Sequence, residues 1–184
     1  ATQTGARVGR IRYKDLNDDG VINALDQRYL GVQAPDFEYG LGGSLNYKNF
    51  SFDIFFQGVQ GRDIFYGNNG SWKVRTDFTG IWAGENYGLR TLDAWTPQNS
   101  DSNIPALSLS NNNSEDPESR PSDYFVEDGS YLKLRNVQIG YDLPVRFLEQ
   151  IQASQFKIYF RAENLFQITS NGFTGTDPET PEAT

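Results

Sequence analysis

NFSFDIFFQGVQG, residues 49–61, is the stretch of sequence that decides the fold. Its apolar side chains recur at every second position: Phe50, Phe52, Ile54 and Phe56. Successive side chains of an extended strand point to opposite faces, so this strand is predicted to have one apolar face and one mostly polar face. A soluble β-sandwich shows the same alternation, so the pattern alone does not decide whether protein or lipid covers the apolar face.

The composition excludes several classes of function. Of the 184 residues 37% are hydrophobic, the mean hydropathy is -0.61, and the net charge is -8 without a basic cluster, which disfavours nucleic-acid binding. The chain has no cysteine, which excludes disulfides and thiol chemistry, and no histidine, which removes the usual general base and the commonest metal ligand. No stretch approaches the roughly 18 apolar residues of a membrane helix, whereas transmembrane strands leave a much weaker signal.

A second amphipathic strand directly precedes the first. In residues 37–47, FEYGLGGSLNY, the aromatic and leucine side chains share one face and alternate with glycine and polar residues. Only Lys48 and Asn49 separate the two strands. This spacing predicts a tight β-hairpin.

Two more strands are predicted nearer the end of the chain, at residues 130–143 and 155–167. In the first of these the apolar residues change phase halfway along, which predicts a β-bulge near Arg135 and Asn136. In the second, Phe and Ile alternate with Lys, Arg and Glu. The connection at residues 144–154 is predicted to contain one helical turn.

Long polar connections flank these hairpins, at residues 1–36, 62–128 and 169–184. Outer-membrane barrels combine short periplasmic turns, long external loops and strands of roughly 9 to 11 alternating residues. Four strands cannot close a barrel, whose smallest form has about eight. The pattern therefore predicts an all-β, antiparallel transmembrane β-barrel segment with long extracellular loops, and the alternative is a soluble β-sandwich with one oversized loop.

Residues 15–26, DLNDDGVINALD, match the twelve-residue calcium loop of an EF-hand. Gly20 occupies the sharp-turn position, and an Asp replaces the usual Glu at position twelve. The candidate calcium ligands are Asp15, Asn17, Asp19, the Val21 carbonyl, Asn23 and Asp26. The alternative is an Asn/Asp/Gly-rich turn that leads into a short helix capped by Asn23 and binds no ion.

Five successive segments carry a family resemblance: GRIRYKDLNDDGVINALDQRYLG, PDFEYGLGGSLNYKNFSFDIFFQGVQG, RTLDAWTPQNSDSNIP, DYFVEDGSYLKLRNVQIGYDLP and FKIYFRAENLFQIT. In this order they resemble the C-terminal region of the SusC/RagA family, the TonB-dependent outer-membrane transporters of Bacteroidota. The resemblance implies a 22-stranded barrel with an N-terminal plug, a SusD-like surface lipoprotein as a lid, and TonB-driven import of glycans, oligosaccharides or peptides. Because the plug and the TonB box are missing and no signal peptide begins the chain, we expect a piece of a longer protein.

The resemblance also implies which residues meet lipid, solvent and partners. The side chains expected to face lipid are Phe52, Ile54, Phe56, Phe156, Ile158 and Phe160. Those expected to face the lumen are Asp53, Lys157 and Arg161. Five loop aromatics are candidates for stacking on sugars or contacting the lid, although packing of the loop onto itself is the simpler interpretation: Tyr66, Trp72, Trp82, Tyr87 and Trp95.

Catalysis is not expected, because no motif pairs the many carboxylates for acid–base work. A second function stays open from the residues alone. A secreted β-sandwich that binds carbohydrate, with calcium stabilising residues 15–26, would show the same strands. Such a module would fold without detergent, whereas a barrel segment would not.

Overall fold

The computed structural model describes residues 1–65, 89–107, 121–175 and 177–179. They belong to two units. One contains residues 1–31 with the described part of 65–126, and the other contains residues 32–64 with the described part of 127–181. Tyr66, Trp72, Trp82 and Tyr87 lie outside the described residues.

The second unit is built on a four-stranded antiparallel sheet. Its strands are β1 (Phe37–Tyr47), β2 (Phe50–Gln60), β5 (Tyr131–Asp142) and β6 (Lys157–Thr169), in the order β1-β2-β5-β6. These are the four strands that the two-residue periodicity predicts. Sequence neighbours pair within each hairpin, and β2 pairs with β5 across the long connection.

Two short strands, β3 (Asp63–Phe65) and β4 (Val126–Asp128), form a separate two-stranded sheet. The sequence predicted no strand within residues 62–128, and that expectation is wrong. Three residues are too few to show an alternating pattern, so the pairing is not visible in the sequence. The Gly129 amide donates to the Arg62 carbonyl at 2.7 Å next to this ladder.

The predicted tight hairpin joins β1 and β2 through Lys48 and Asn49. Tyr47 pairs with Phe50, and Lys48 has a φ of 52°, in the left-handed region. The Asn49 side chain donates to the Asp142 carbonyl at 2.7 Å, and the Asp142 amide donates to the Asn49 carbonyl at 2.9 Å. The turn is therefore tied to the end of β5.

The predicted bulge is present in β5. Phe55 pairs with Asn136 and Phe56 pairs with Leu134, so Arg135 is the extra residue. The pairing of β5 with β6 is irregular at the same place: Leu134 pairs with Phe166 and Asn136 with Glu163, so two residues of β6 lie opposite Arg135. On β6 the irregularity coincides with Asn164, whose φ is 51°.

Helical structure is short throughout the described residues. The predicted helical turn is α1 (Val145–Gln150), which joins β5 to β6, and 3-10 turns lie at Ala24–Asp26, Leu89–Asp93 and Asp123–Phe125. None of these helices is long and apolar enough to cross a membrane. In the first unit, Phe125 is buried against Ile11, Phe65 and Tyr124.

Candidate functional site

The two faces of the four-stranded sheet are chemically different. Register places Leu45, Phe52, Ile139 and Phe160 in one row across all four strands, and Gly43, Ile54, Val137 and Ala162 in another. Because Arg135 is an extra residue, Leu132 and Leu134 join this same face on the other side of the bulge. The apolar face is therefore continuous, although the apolar residues of β5 change phase in the sequence.

Most large side chains on this apolar face are exposed. Leu41 and Phe160 are each 68% exposed and Ile139 is 48% exposed, whereas Phe52, Ile54 and Phe56 are half-buried. A contiguous exposed apolar surface of this kind is rare on soluble monomers and marks contact with lipid or another protein.

Aromatic residues mark both ends of the apolar face. At the hairpin end Tyr47, Phe50 and Tyr141 form one row, with the rings of Phe50 and Tyr141 4.7 Å apart. At the other end the rings of Phe37 and Tyr39 are 5.8 Å apart. Tyr47 lies ten positions after Phe37, which corresponds to about 25 Å along the barrel axis for strands tilted by about 40°. That height equals the apolar band of an outer-membrane barrel, with an aromatic girdle at each interface.

The opposite face carries the polar groups. Asp53, Gln138 and Arg161 occupy one row, and the Ser44 hydroxyl donates to Asp53 at 2.6 Å. Phe55 is an exception that the sequence analysis did not identify. Its ring lies close over Gly40 and Gly42, where a Cβ atom would be in tight contact with it.

A cluster of ionic groups lies on this polar face around the bulge. The Lys133 side chain is 6% exposed, and its Nζ lies 3.0 Å from Asp177 Oδ2 and 2.5 Å from Glu179 Oε2. Arg135 also pairs with Glu179, and its Nε donates to Gln57 Oε1 at 2.8 Å. The Tyr131 hydroxyl donates to Glu179 Oε1 at 2.7 Å.

Glu179 is the centre of this cluster. Burial alone would raise the pKa of its carboxyl, but hydrogen bonds from Lys133, Tyr131 and Arg135 outweigh burial and lower the pKa to about 2. Glu179 is therefore ionised at neutral pH. This cluster is not visible in the sequence, because its cations and its carboxylates lie more than 40 residues apart in the chain.

Residues 15–26 adopt the turn that their pattern predicts. Gly20 has a φ of 84° and its amide donates to Asp15 Oδ2 at 2.8 Å. The Val21 amide donates to Asp19 Oδ1 at 2.8 Å. The Asn23 side chain caps the 3-10 turn at Ala24–Asp26, and the Asp26 carboxylate accepts a hydrogen bond from the Asn23 amide. Hydrogen bonds from the Asn23 and Leu16 amides lower the pKa of Asp26.

The fit of this loop to a cation is mixed. Asp15 Oδ1 is buried and has no hydrogen-bond partner, as expected of an oxygen reserved for an ion. However, within the described residues no group of three or more Asp, Glu, His or Cys side chains is placed to hold a metal. Calcium also takes amide and carbonyl oxygens, so the donor set of Asp15, Asn17, Asp19, Val21, Asn23 and Asp26 still suits it chemically.

Trp95 is the one predicted loop aromatic that the structure describes. Its ring covers Gly9, where a Cβ atom would clash with it, and the Trp95 amide donates to the Ile104 carbonyl at 2.8 Å. Trp95 therefore packs against the N-terminal segment of the first unit. Contact of the five aromatics with sugar or a lid protein stays a prediction.

Curated relatives match the chain over most of its length, although no family model matches it. TonB-dependent receptor P3 of Formosa agariphila is 31% identical over 91% of the chain, and receptor P26 of the same bacterium is 31% identical over 94%. TonB-dependent receptor SusC of Bacteroides thetaiotaomicron is 24% identical over 91%. The chain spans only 15% to 16% of the length of these relatives.

Solved structures show the same similarity. The RagAB peptide importer in its open-open state aligns with 83% of the chain at a TM-score of 0.61 and 25% identity. The RagAB peptide transporter aligns with 81% of the chain at a TM-score of 0.62 and 26% identity. The chain corresponds to 15% of each matched chain.

Proposed function

Because this chain is a β-barrel segment of the SusC/RagA type of TonB-dependent outer-membrane receptor, we propose that it forms part of the wall of an importer. In this role its apolar face contacts lipid and its polar face borders the path of the cargo. The observation that carries the proposal is the apolar face, which runs unbroken across four strands and has aromatic side chains at both ends of β1.

The cargo proposed for the whole protein is a glycan, an oligosaccharide or a peptide. The RagAB structures that this chain resembles are those of a peptide importer, which supports the peptide alternative. The family resemblance implies two partners for the whole protein. A SusD-like lipoprotein would form the lid, and TonB would supply the energy for import. The relatives are named as receptors and importers, and no catalytic role is proposed.

Uptake by cells tests this proposal. A strain that lacks the full-length gene is compared with its parent for growth on single oligosaccharides and on peptides. We expect loss of growth on one class of nutrient, restored by the intact gene but not by a gene that lacks its TonB box. An affinity tag on the full-length protein should also recover a surface lipoprotein from detergent extracts. Normal growth of the deletion strain on every nutrient would contradict an import role.

The alternative, a secreted carbohydrate-binding β-sandwich, is tested by solubility. A sandwich buries its apolar face inside the protein, whereas Leu41 and Phe160 are mostly exposed. The chain made alone should therefore require detergent to stay dispersed. A soluble, cooperatively folding monomer without detergent would favour the sandwich.

We also propose that residues 15–26 bind a calcium ion that stabilises the structure of this loop. The ligands would be Asp15, Asn17, Asp19, the Val21 carbonyl, Asn23 and Asp26, and the ion would neutralise their mutually repelling carboxylates. The unpartnered Asp15 Oδ1 supports the proposal. Outside the cell, even a site with an affinity on the order of 10⁻⁴ to 10⁻³ M stays filled.

Thermal unfolding of the full-length protein in detergent tests calcium binding. Calcium that binds only the folded state adds about 2.7 kcal/mol at a hundredfold excess over the Kd, so a chelator should lower the Tm. The double variant Asp15→Asn, Asp19→Asn should lose this response. Asp18→Asn is the matched control, because Asp18 lies at a non-ligand position with a φ of 58° that Asn tolerates. An unchanged Tm on adding chelator to the wild type would show that the loop is only a turn.

A further inference from the structure

The buried lysine on the polar face requires a compensating charge. Lys133 lies near the start of β5, an inner strand of the sheet, with 6% of its side chain exposed. An ionised lysine that is removed from water without a partner is strongly destabilising. Two carboxylates provide that compensation, and both come from the segment that follows β6.

That segment folds back along β5 and is held at several points. We call residues 170–175 and 177–179 the strap. Near its start, the Ser170 hydroxyl donates to Asp128 Oδ2 at 2.7 Å and the Thr174 hydroxyl donates to Glu127 at 2.6 Å. At its far end Pro178 is fully buried, between the two residues that reach Lys133.

The far end of the strap is shaped to present both acids together. The Glu179 amide donates to Asp177 Oδ1 at 3.0 Å, which closes a tight turn around Pro178. Glu179 then accepts bonds from Lys133, Arg135 and the Tyr131 hydroxyl. A guanidinium, an ammonium and a phenol that converge on one carboxylate form a complete carboxylate-binding site.

We propose that Lys133, Arg135 and Tyr131 form a carboxylate-binding site on the polar face, which the strap closes with its own Glu179 and which a carboxylate-bearing solute opens by competition. The cations belong to β5 and its bulge, whereas the occupant belongs to a connection outside the strands. Arg135 also donates to Gln57 and Asn164, which holds this part of the site independently of the strap.

The consequence for transport rests on the proposed function. If the polar face borders the cargo path, the closed strap narrows that path beside β5. Cargo that carries a carboxylate, such as an acidic peptide or a uronate, would replace Glu179 and release the strap. Neutral cargo would leave it closed.

Hydrogen exchange of the full-length protein in detergent, read by mass spectrometry, tests the site without measuring transport. Glu179→Gln removes the charge that Lys133 and Arg135 share, and should speed exchange of the strap amides on the order of a hundredfold. Glu163→Gln is the matched control. Glu163 projects from β6 on the same polar face, but its ion pair with Arg161 at 2.6 Å is exposed. Its loss should leave exchange of the strap unchanged.

Competition on the wild-type protein needs no variant to fold. Triglutamate should speed exchange of the strap amides in a saturable way, whereas triglutamine and sodium chloride at equal ionic strength should not. Tens of millimolar are required, because a tethered carboxylate competes at an effective concentration in the millimolar range.

Each outcome decides the proposal. Unchanged exchange in Glu179→Gln, or equal acceleration in Glu163→Gln, would show that Glu179 does not hold the strap closed. A strap that responds to sodium chloride as strongly as to triglutamate would show a general ionic contact and no carboxylate site. Normal growth of the deletion strain together with an intact exchange response would overturn the import proposal and leave the carboxylate site standing. Lost growth together with unchanged exchange in Glu179→Gln would overturn the site and leave the import proposal standing.

Discussion

An arginine in place of Ile54 tests most directly which face of the sheet meets lipid. Ile54 lies in the row with Gly43 and Val137, four residues from the aromatic row that contains Tyr47. With a rise of about 3.4 Å per residue and a tilt of about 40°, this row lies about 10 Å from the girdle. In an apolar band about 25 Å tall, Ile54 is therefore close to the bilayer midplane.

Arginine at the midplane costs about 2 to 4 kcal/mol and at the interfaces about 0 to 1 kcal/mol. Ile54→Arg should therefore destabilise the full-length barrel by the larger amount and Tyr47→Arg by the smaller one. Gln138→Arg is the control at matched depth, because Gln138 lies on the polar face beside Asp53. It should cost less than about 1 kcal/mol. Urea-dependent folding into lipid vesicles, followed by heat-modifiable migration in gels, measures each change.

The depth dependence separates lipid from a protein core. A buried protein core would penalise arginine at Ile54 and also at other covered positions without regard to distance from the girdles. Equal costs at Ile54 and Gln138, or a larger cost at Tyr47 than at Ile54, would refute the assignment of the apolar face to lipid.

Three further predictions concern the turns, the strap and the topology. Lys48→Gly should stabilise the barrel by up to about 1 kcal/mol, because Lys48 has a φ of 52°, which glycine adopts without strain. Asn49→Gly should destabilise the barrel by about the same amount, because it removes the side-chain hydrogen bond to Asp142. A higher urea midpoint for Asn49→Gly than for Lys48→Gly would contradict this prediction. Burial raises the pKa of Glu179, but hydrogen bonds from Lys133, Tyr131 and Arg135 outweigh burial and lower the pKa to about 2, so the contribution of Glu179, about 3 kcal/mol, should be complete above about pH 4.5 and lost as the pH falls towards 2. Exchange of the strap followed across this range should show no release between pH 7 and 5, and Glu179→Gln should remove the dependence. Protease added to intact cells should cut within residues 15–26 or 62–128; cuts confined to Lys48 or the Phe147 region would reverse the predicted orientation.

The sequence was sufficient to predict the transmembrane strands because their signal is local. A period of two residues identifies β1, β2, β5 and β6, and the phase change in β5 identifies the bulge at Arg135. The family resemblance added what periodicity leaves open, namely that the apolar face belongs to a barrel rather than to a sandwich.

The parts that the sequence did not predict depend on distant pairs or on very short elements. Lys133 and Glu179 are 46 residues apart, and neither neighbourhood contains a pattern that points to the other. β3 and β4 contain three residues each. Phe55 breaks the alternation of β2, and only the two glycines opposite it in β1 explain why an aromatic ring is accommodated on the polar face.

The extra residue in β5 has a consequence for how this strand tolerates insertions and deletions. Deletion of Arg135 alone would place Leu134 directly before Asn136. Because these two residues already project to opposite faces, the strand would become regular, and Lys133 would stay on the polar face. Deletion of Gln138 alone would instead bring Val137 next to Ile139 and turn the residues on one side of the deletion to the opposite face. A single-codon loss at Arg135 should therefore be tolerated better than a single-codon loss at Gln138. Among natural variants of this segment, a change of one in the number of residues between Tyr131 and Tyr141 should coincide with loss of the bulge.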